Sequence, residues 1–173
     1  MTGRILVAYA TKHGSTAGVA DAVAHELDEA GFEVEAAALP AVDSLEGYDG
    51  VVLGAPLYMG TPLDLAAFVA RHRDAWTRVP VAAFATGLTP AAPELKPEQV
   101  EQARKALIDA LSPIRPVAAT LFAGALDPGK MGLAERAVTR LLRAPSGDFR
   151  DWNAIGAWTR TLVPLLRGGA GTH

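Results

Sequence analysis

The sequence predicts an α/β fold: a doubly wound, three-layer, five-stranded parallel sheet of order 2-1-3-4-5. Three observations carry that expectation. Five short apolar runs alternate with helical patterns along the chain, as parallel strands joined by crossover helices require. The first run, "RILVAYA", is nearly continuous, which suits a strand buried on both faces. No internal repeat or long linker divides the 173 residues, so one core of ordinary size is expected, over residues 1–168, with 169–173 as a frayed tail.

The elements follow in order. Residues 4–10 form the first strand. The next helix places Thr16, Val19, Ala20, Val23, Leu27 and Ala30 at three- and four-residue spacing, and Gly31 stops it. Residues 32–39 alternate more weakly and suit an outer strand. Residues 48–56 make a third strand, wholly apolar at Val51, Val52 and Leu53. A second helix is expected over residues 62–73, with Pro62 at its first position. Residues 79–87 are a fourth buried strand. Residues 97–111 carry Val100, Ala103, Leu107 and Leu111 on one helical face. A fifth strand spans 115–126, and helices are expected over 133–143 and 152–166, the last with Trp158, Leu162 and Leu165 as its core stripe.

Composition excludes several classes. The chain has no cysteine, which removes disulfides, thiolate metal sites and cysteine nucleophiles. His25 and His72 lack ligand partners at suitable spacing, so no metal is expected. A formal charge of −3 argues against nucleic-acid binding. The N-terminal apolar run is too short for a signal peptide with its cleavage site, and no run approaches a membrane span. A cytoplasmic chain is expected.

In a doubly wound sheet, ligands bind beyond the carboxyl ends of the strands, at the switch point between strands 1 and 3. Three loops sit there. The first, "ATKHGST", gathers Thr11, Lys12, His13, Gly14, Ser15 and Thr16 at the mouth of a helix. Unpaired helix N–H groups, hydroxyl donors and a permissive glycine form a nest for a phosphate monoester. Plain helix capping by Ser15 or Thr16 is the alternative. G-x-x-x-x-G-K-[ST], G-x-G-x-x-G and G-x-S-x-G are all absent. The second loop, "PLYMG", offers Tyr58 and Met59 between Pro56 and Gly60 as a wall for a flat heteroaromatic ring; ordinary packing is its alternative. The third, residues 86–93, brings Thr86, Gly87 and Leu88 to the same crevice. One phosphate loop and two ring loops describe a mononucleotide site, so FMN fits better than FAD or NAD.

"YATKHGSTAGVADAV", "GAPLYMG", "FAGALD" and "PSGDFRDWNAIGAWTRTL" resemble the corresponding segments of the flavodoxin-like FMN-binding family. They are closest to the flavodoxin-domain group that includes menaquinone-dependent protoporphyrinogen oxidase. The resemblance implies a flavodoxin-like fold and noncovalent FMN. It implies phosphate contacts at Thr11, His13, Gly14, Ser15 and Thr16, with His13 standing where a second Thr is usual. It implies a ring flanked by Pro56, Leu57, Tyr58, Met59 and Gly60, its pyrimidine edge at Thr86, Gly87 and Leu88, and a border at Gly124, Ala125 and Leu126. No catalytic side chain is expected, since the flavin carries the chemistry. Three functions stay open: an oxidoreductase of the protoporphyrinogen oxidase type passing electrons to a quinone or other acceptor, an electron-transfer flavodoxin serving a protein partner, and a binding or regulatory module that has lost flavin, for which His13 in the phosphate loop is the reason. Oligomeric state stays open too. Residues 130–150 set Lys130, Arg136, Arg140, Arg143 and Arg150 against Glu135 and Asp148. They read either as a peripheral membrane contact or as a solvated helix face.

Overall fold

The computed structural model describes residues 2–87, 96–126, 128–141 and 147–169. Five parallel strands form the sheet: β1 (Arg4–Tyr9), β2 (Glu33–Ala38), β3 (Gly50–Tyr58), β5 (Val81–Gly87) and β6 (Ala118–Ala123). Their spatial order is β2-β1-β3-β5-β6, which is 2-1-3-4-5 counted among the parallel strands. A two-residue strand, β4 (Thr61–Pro62), pairs antiparallel with the end of β3.

The period-two alternation of the central strands divides the core between two faces. Ile5, Val7, Val52, Ala82 and Phe84 meet α1 (Ser15–Glu29) and α5 (Trp152–Gly169) through Val19, Val23, Leu27, Ile155, Leu162 and Leu166. Leu6, Ala8, Val51, Leu53, Ala83 and Ala85 face α2 (Leu65–Arg71) and α3 (Pro97–Leu111) through Leu65, Phe68, Leu107 and Leu111. β2 is an edge strand whose exposed Glu33 and Glu35 pair with Arg4, which blunts that edge with charge.

Several boundaries differ from expectation, each for a nonlocal reason. The third strand runs on through Leu57 and Tyr58 because β4 supplies a partner for them. Pro62 therefore belongs to β4, and the second helix starts three residues later, at Leu65, after Asp64 in the left-handed region. The fifth strand breaks at Gly124, whose N–H donates to the Gly87 carbonyl at 2.8 Å. The chain then leaves the sheet as β7 (Ala125–Leu126), which pairs antiparallel with β8 (Gly147–Asp148); α4 (Leu133–Leu141) lies between them. In α5 the buried stripe is Ile155, Thr159, Leu162 and Leu166, while Leu165 is exposed. Asp151 caps α5 by accepting from the Ala154 N–H at 3.0 Å. Trp152 does not pack beneath that helix: it is half exposed and lies under the Arg150 guanidinium, 4.7 Å from its ring centroid. α5 continues to Gly169, one residue into the expected tail; residues 170–173 lie outside the described residues.

Candidate functional site

Because all five main strands are parallel, their carboxyl ends emerge on one side, and the segments after β1, β3 and β6 converge there with the end of β5. Between them lies a cavity of about 750 Å³, in the upper part of the range for small-molecule sites.

The first loop enters α1 through Gly14, the N-cap residue, at φ +88°. That conformation is inexpensive only for glycine. No side chain caps the helix, so its first N–H groups and the positive end of its dipole are presented to the cavity. The capping alternative therefore fails for both candidates. The Ser15 hydroxyl accepts from the Ala125 N–H at 2.9 Å. Thr16 is buried and its hydroxyl lies 2.7 Å from that of Thr86, also buried. One member of that pair donates to the other. Thr11 accepts from the Gly14 N–H at 3.0 Å, which fixes the turn.

The buried Thr16–Thr86 bond welds the first loop to the third. Thr16→Val leaves the Thr86 hydroxyl without its partner, at a cost of about 1–3 kcal/mol. The expected loss is roughly 2–10 °C in melting temperature. Thr16→Val/Thr86→Val is expected to be more stable than the sum of the single losses, as thermal denaturation of the four proteins in a double-mutant cycle checks.

The second loop is a tight hairpin. Met59 (φ +51°) and Gly60 (φ +80°) are its two central residues, between the paired Tyr58 and Thr61. Positive φ at both positions matches the strand twist in two-residue hairpins. Met59, which is not a glycine, carries the associated strain. The hairpin stands Tyr58 and Met59 at the cavity wall, both exposed, with Pro56, Leu57 and Gly60 lining it beside them.

Thr86 and Gly87 line the cavity from β5; Leu88 lies outside the described residues. Gly124 and Ala125 line it as well. A Cβ on Gly124 would come within 3.4 Å of the Gly87 nitrogen and 3.5 Å of the Ser15 hydroxyl, so the three loops meet there in close contact. Of the anticipated first-loop residues, Thr11, Lys12, His13, Ser15 and Thr16 line the cavity; Gly14 does not, and acts as the N-cap of α1.

Sequence reasoning missed the far wall. Gln99, Gln102 and Ala103 line the cavity from α3, and Met131, Ala134 and Glu135 from the excursion after β7. Glu135 joins the two sides: its carboxylate lies 2.9 Å from Lys12 Nζ and 2.9 Å from His13 Nε2. The His13 contact is close but not aligned as a hydrogen bond. Hydrogen bonds to Glu135 and then Tyr58 hold the Lys12 ammonium above its usual value; the same Lys12 bond holds the Glu135 carboxyl below its own, against the opposing effect of burial. Lys12 Nζ also sits 3.6 Å from the Tyr58 ring centroid, a cation–π contact that occupies one face of that ring. The one signal available in sequence was the Lys12–His13 pair itself, whose counter-charge had to come from somewhere.

The basic stretch is less uniform than its sequence. Arg136 and Arg140 are exposed on α4, while Arg143 lies outside the described residues. Arg150 turns back to Asp148, with Nη2 2.7 Å from Oδ2, and that contact holds the Asp148 carboxyl down at about 2. Among the described residues no group of His, Asp and Glu could hold a metal ion, and no helix is long and apolar enough to cross a membrane.

The Flavodoxin domain family matches residues 6–153. The chain belongs to that family. Solved structures agree on the fold: a flavodoxin from the domain Archaea superposes with a TM-score of 0.56 at 15% identity, covering 95% of this chain and 99% of that one. A cysteine-to-alanine mutant of the Pseudomonas aeruginosa flavodoxin gives 0.54 at 16% identity, over 95% and 99%. The rubredoxin oxygen:oxidoreductase of Desulfovibrio gigas gives 0.56 at 13% identity; it covers 99% of this chain, which spans 38% of that longer one. Protoporphyrinogen IX dehydrogenase [quinone] of Escherichia coli K12 is 27% identical over 94% of this chain and 96% of its own length. This flavodoxin-like chain binds FMN, and the cavity suits that group. An uncapped helix N-terminus faces one end for an anion, and an aromatic and a thioether stand at its wall for a ring.

Proposed function

We propose that the chain is an FMN-dependent oxidoreductase that takes electrons from a reduced small molecule of the protoporphyrinogen type and passes them to a quinone. Two observations support that reading. The relative named as a quinone-dependent protoporphyrinogen dehydrogenase matches almost end to end. The observation that carries it is the cavity's extension past the three expected loops onto α3 and α4, which leaves a wall for a second planar molecule beside the flavin.

In that scheme Gly14, Ser15 and Thr16, with Thr11 bracing the turn, hold the phosphate through backbone N–H and hydroxyl donors. Tyr58 and Met59 flank the ring, with Pro56, Leu57 and Gly60 shaping the hairpin that presents them. Thr86 and Gly87 face the pyrimidine edge, and Gly124 and Ala125 close the border. FMN supplies the two-electron chemistry. In each round the donor loses two electrons and two protons, and the quinone gains them as quinol. The chain's own residues orient the ring and exclude water; none of them needs to form a covalent bond.

The test is anaerobic mixing of FMN-loaded protein with protoporphyrinogen. The yellow flavin absorbance is expected to bleach, and to return when a menaquinone analogue is added. A flavin that stays oxidised with protoporphyrinogen, yet is reduced by a flavodoxin reductase protein, would overturn this reading. It would favour a carrier with a protein partner, for which the exposed Met59 at the hairpin tip is the natural contact.

A further inference from the structure

We propose that Arg150 is a positioning residue of the phosphate site: lodged in the space that Gly18 leaves open, it closes a circuit of four residues that holds Ser15 as a hydroxyl donor. The proposal rests on the phosphate placement given above and names what keeps that end of the site in shape.

The circuit runs through Ser15, Ala125, Asp148 and Arg150. Ala125 and Asp148 are paired across the β7–β8 ribbon, and beside them the Phe149 N–H donates to the Gly124 carbonyl at 3.0 Å. From β7, the Ala125 N–H donates to the Ser15 hydroxyl at 2.9 Å. From β8, the Asp148 carboxylate accepts from Arg150 Nε at 2.9 Å, from Nη2 at 2.7 Å and from the Arg150 backbone N–H at 3.1 Å. Two nitrogens of the planar fork on one carboxylate fix the direction of the third. That third, Nη1, donates to the Ser15 carbonyl at 3.4 Å. Ser15 is thus held at its side chain from one strand of the ribbon and at its main chain from just beyond the other.

Gly18, one turn into α1, makes the room for that side chain. A Cβ there would stand 2.6 Å from Arg150 Nη1, while its next contacts, Arg150 Cζ and Trp152 Cη2, are at 3.8 Å. Trp152 covers the guanidinium at 4.7 Å from its ring centroid, and the Arg150 side chain is only 19% exposed. Glycine inside a helix costs about 1 kcal/mol against alanine; here it admits the guanidinium. A hydroxyl has one hydrogen and two acceptor positions. The Ser15 oxygen already accepts from Ala125, and Ser15 lines the cavity, so its own hydrogen is what it offers a phosphate. Arg150 faces Asp148, and its effect on the anion passes through Ser15.

Gly18→Ala separates this role from plain structural support. The added methyl displaces the guanidinium tip and breaks a contact already at the long end of hydrogen-bond range, while it favours the helix. The melting temperature of the apoprotein is expected to stay level or rise. The FMN Kd, read by fluorescence titration, is nonetheless expected to rise roughly three- to tenfold. Riboflavin, which lacks the phosphate, should bind within about twofold of its parent Kd. Arg150→Met should give the same FMN-selective loss, and Gly18→Ala/Arg150→Met no more than the larger single loss. Equal losses for FMN and riboflavin overturn the proposal, as does the absence of a selective loss in either single variant, or full additivity in the double. If the parent chain binds FMN no better than riboflavin, the phosphate placement itself fails. A parent that prefers FMN, with Gly18→Ala unchanged, sinks the Arg150 assignment alone.

Discussion

Gly54→Ala is expected to lower the melting temperature by roughly 3–10 °C, because overfilling a packed core costs about 1–3 kcal/mol. Gly54 lies on β3 directly beside Phe84 of β5. A Cβ there would stand 2.2 Å from Phe84 Cζ and 2.7 Å from each Cε, far inside contact distance. The ring cannot step aside easily. It is fully buried, with Phe122 at 5.8 Å and Trp158 at 6.2 Å between centroids. Gly168→Ala, on α5 with nothing within 4 Å, serves as the control and should be neutral or slightly stabilising. Thermal denaturation of both variants without FMN makes the comparison. Equal stability would mean that the sheet relaxes around Gly54 at little cost.

Tyr58→Ala is expected to weaken FMN binding on the order of ten- to hundredfold, since stacking of a flat ring on an aromatic is worth about 1–3 kcal/mol. Lys12 already lies over one face of the Tyr58 ring, 3.6 Å from its centroid, which leaves the opposite face for the flavin. Tyr58 is 42% exposed, so its removal should leave the fold intact, and Tyr58→Phe should retain most of the affinity. Fluorescence titration of apoprotein with FMN reads the effect. A Kd within threefold of the parent would remove Tyr58 from the ring wall.

The contrast between expectation and structure is clearest at the elements themselves. α3 was legible to the residue because proline opens it and one apolar face runs its length, both local signals. The second helix was not: Pro62 reads equally well as a helix start or as a strand partner, and only pairing with Leu57 decides between them. Ser15 and Thr16 invite a capping assignment, yet their hydroxyls answer to Ala125 and Thr86, far along the chain. Glu135 reads in sequence as one acid on a basic helix; folding makes it the counter-charge of Lys12 and His13.

Neighbouring residues are enough to specify the strands of the parallel sheet and the first two loops at its carboxyl edge, because strand burial and helix periodicity are local patterns. They also specify a first loop that presents a glycine-opened helix N-terminus. Folding settles the rest: which hydroxyls pair with protein and how far the cavity extends. Those depend on register and on contacts between distant segments, where a shift of one residue exchanges one partner for another.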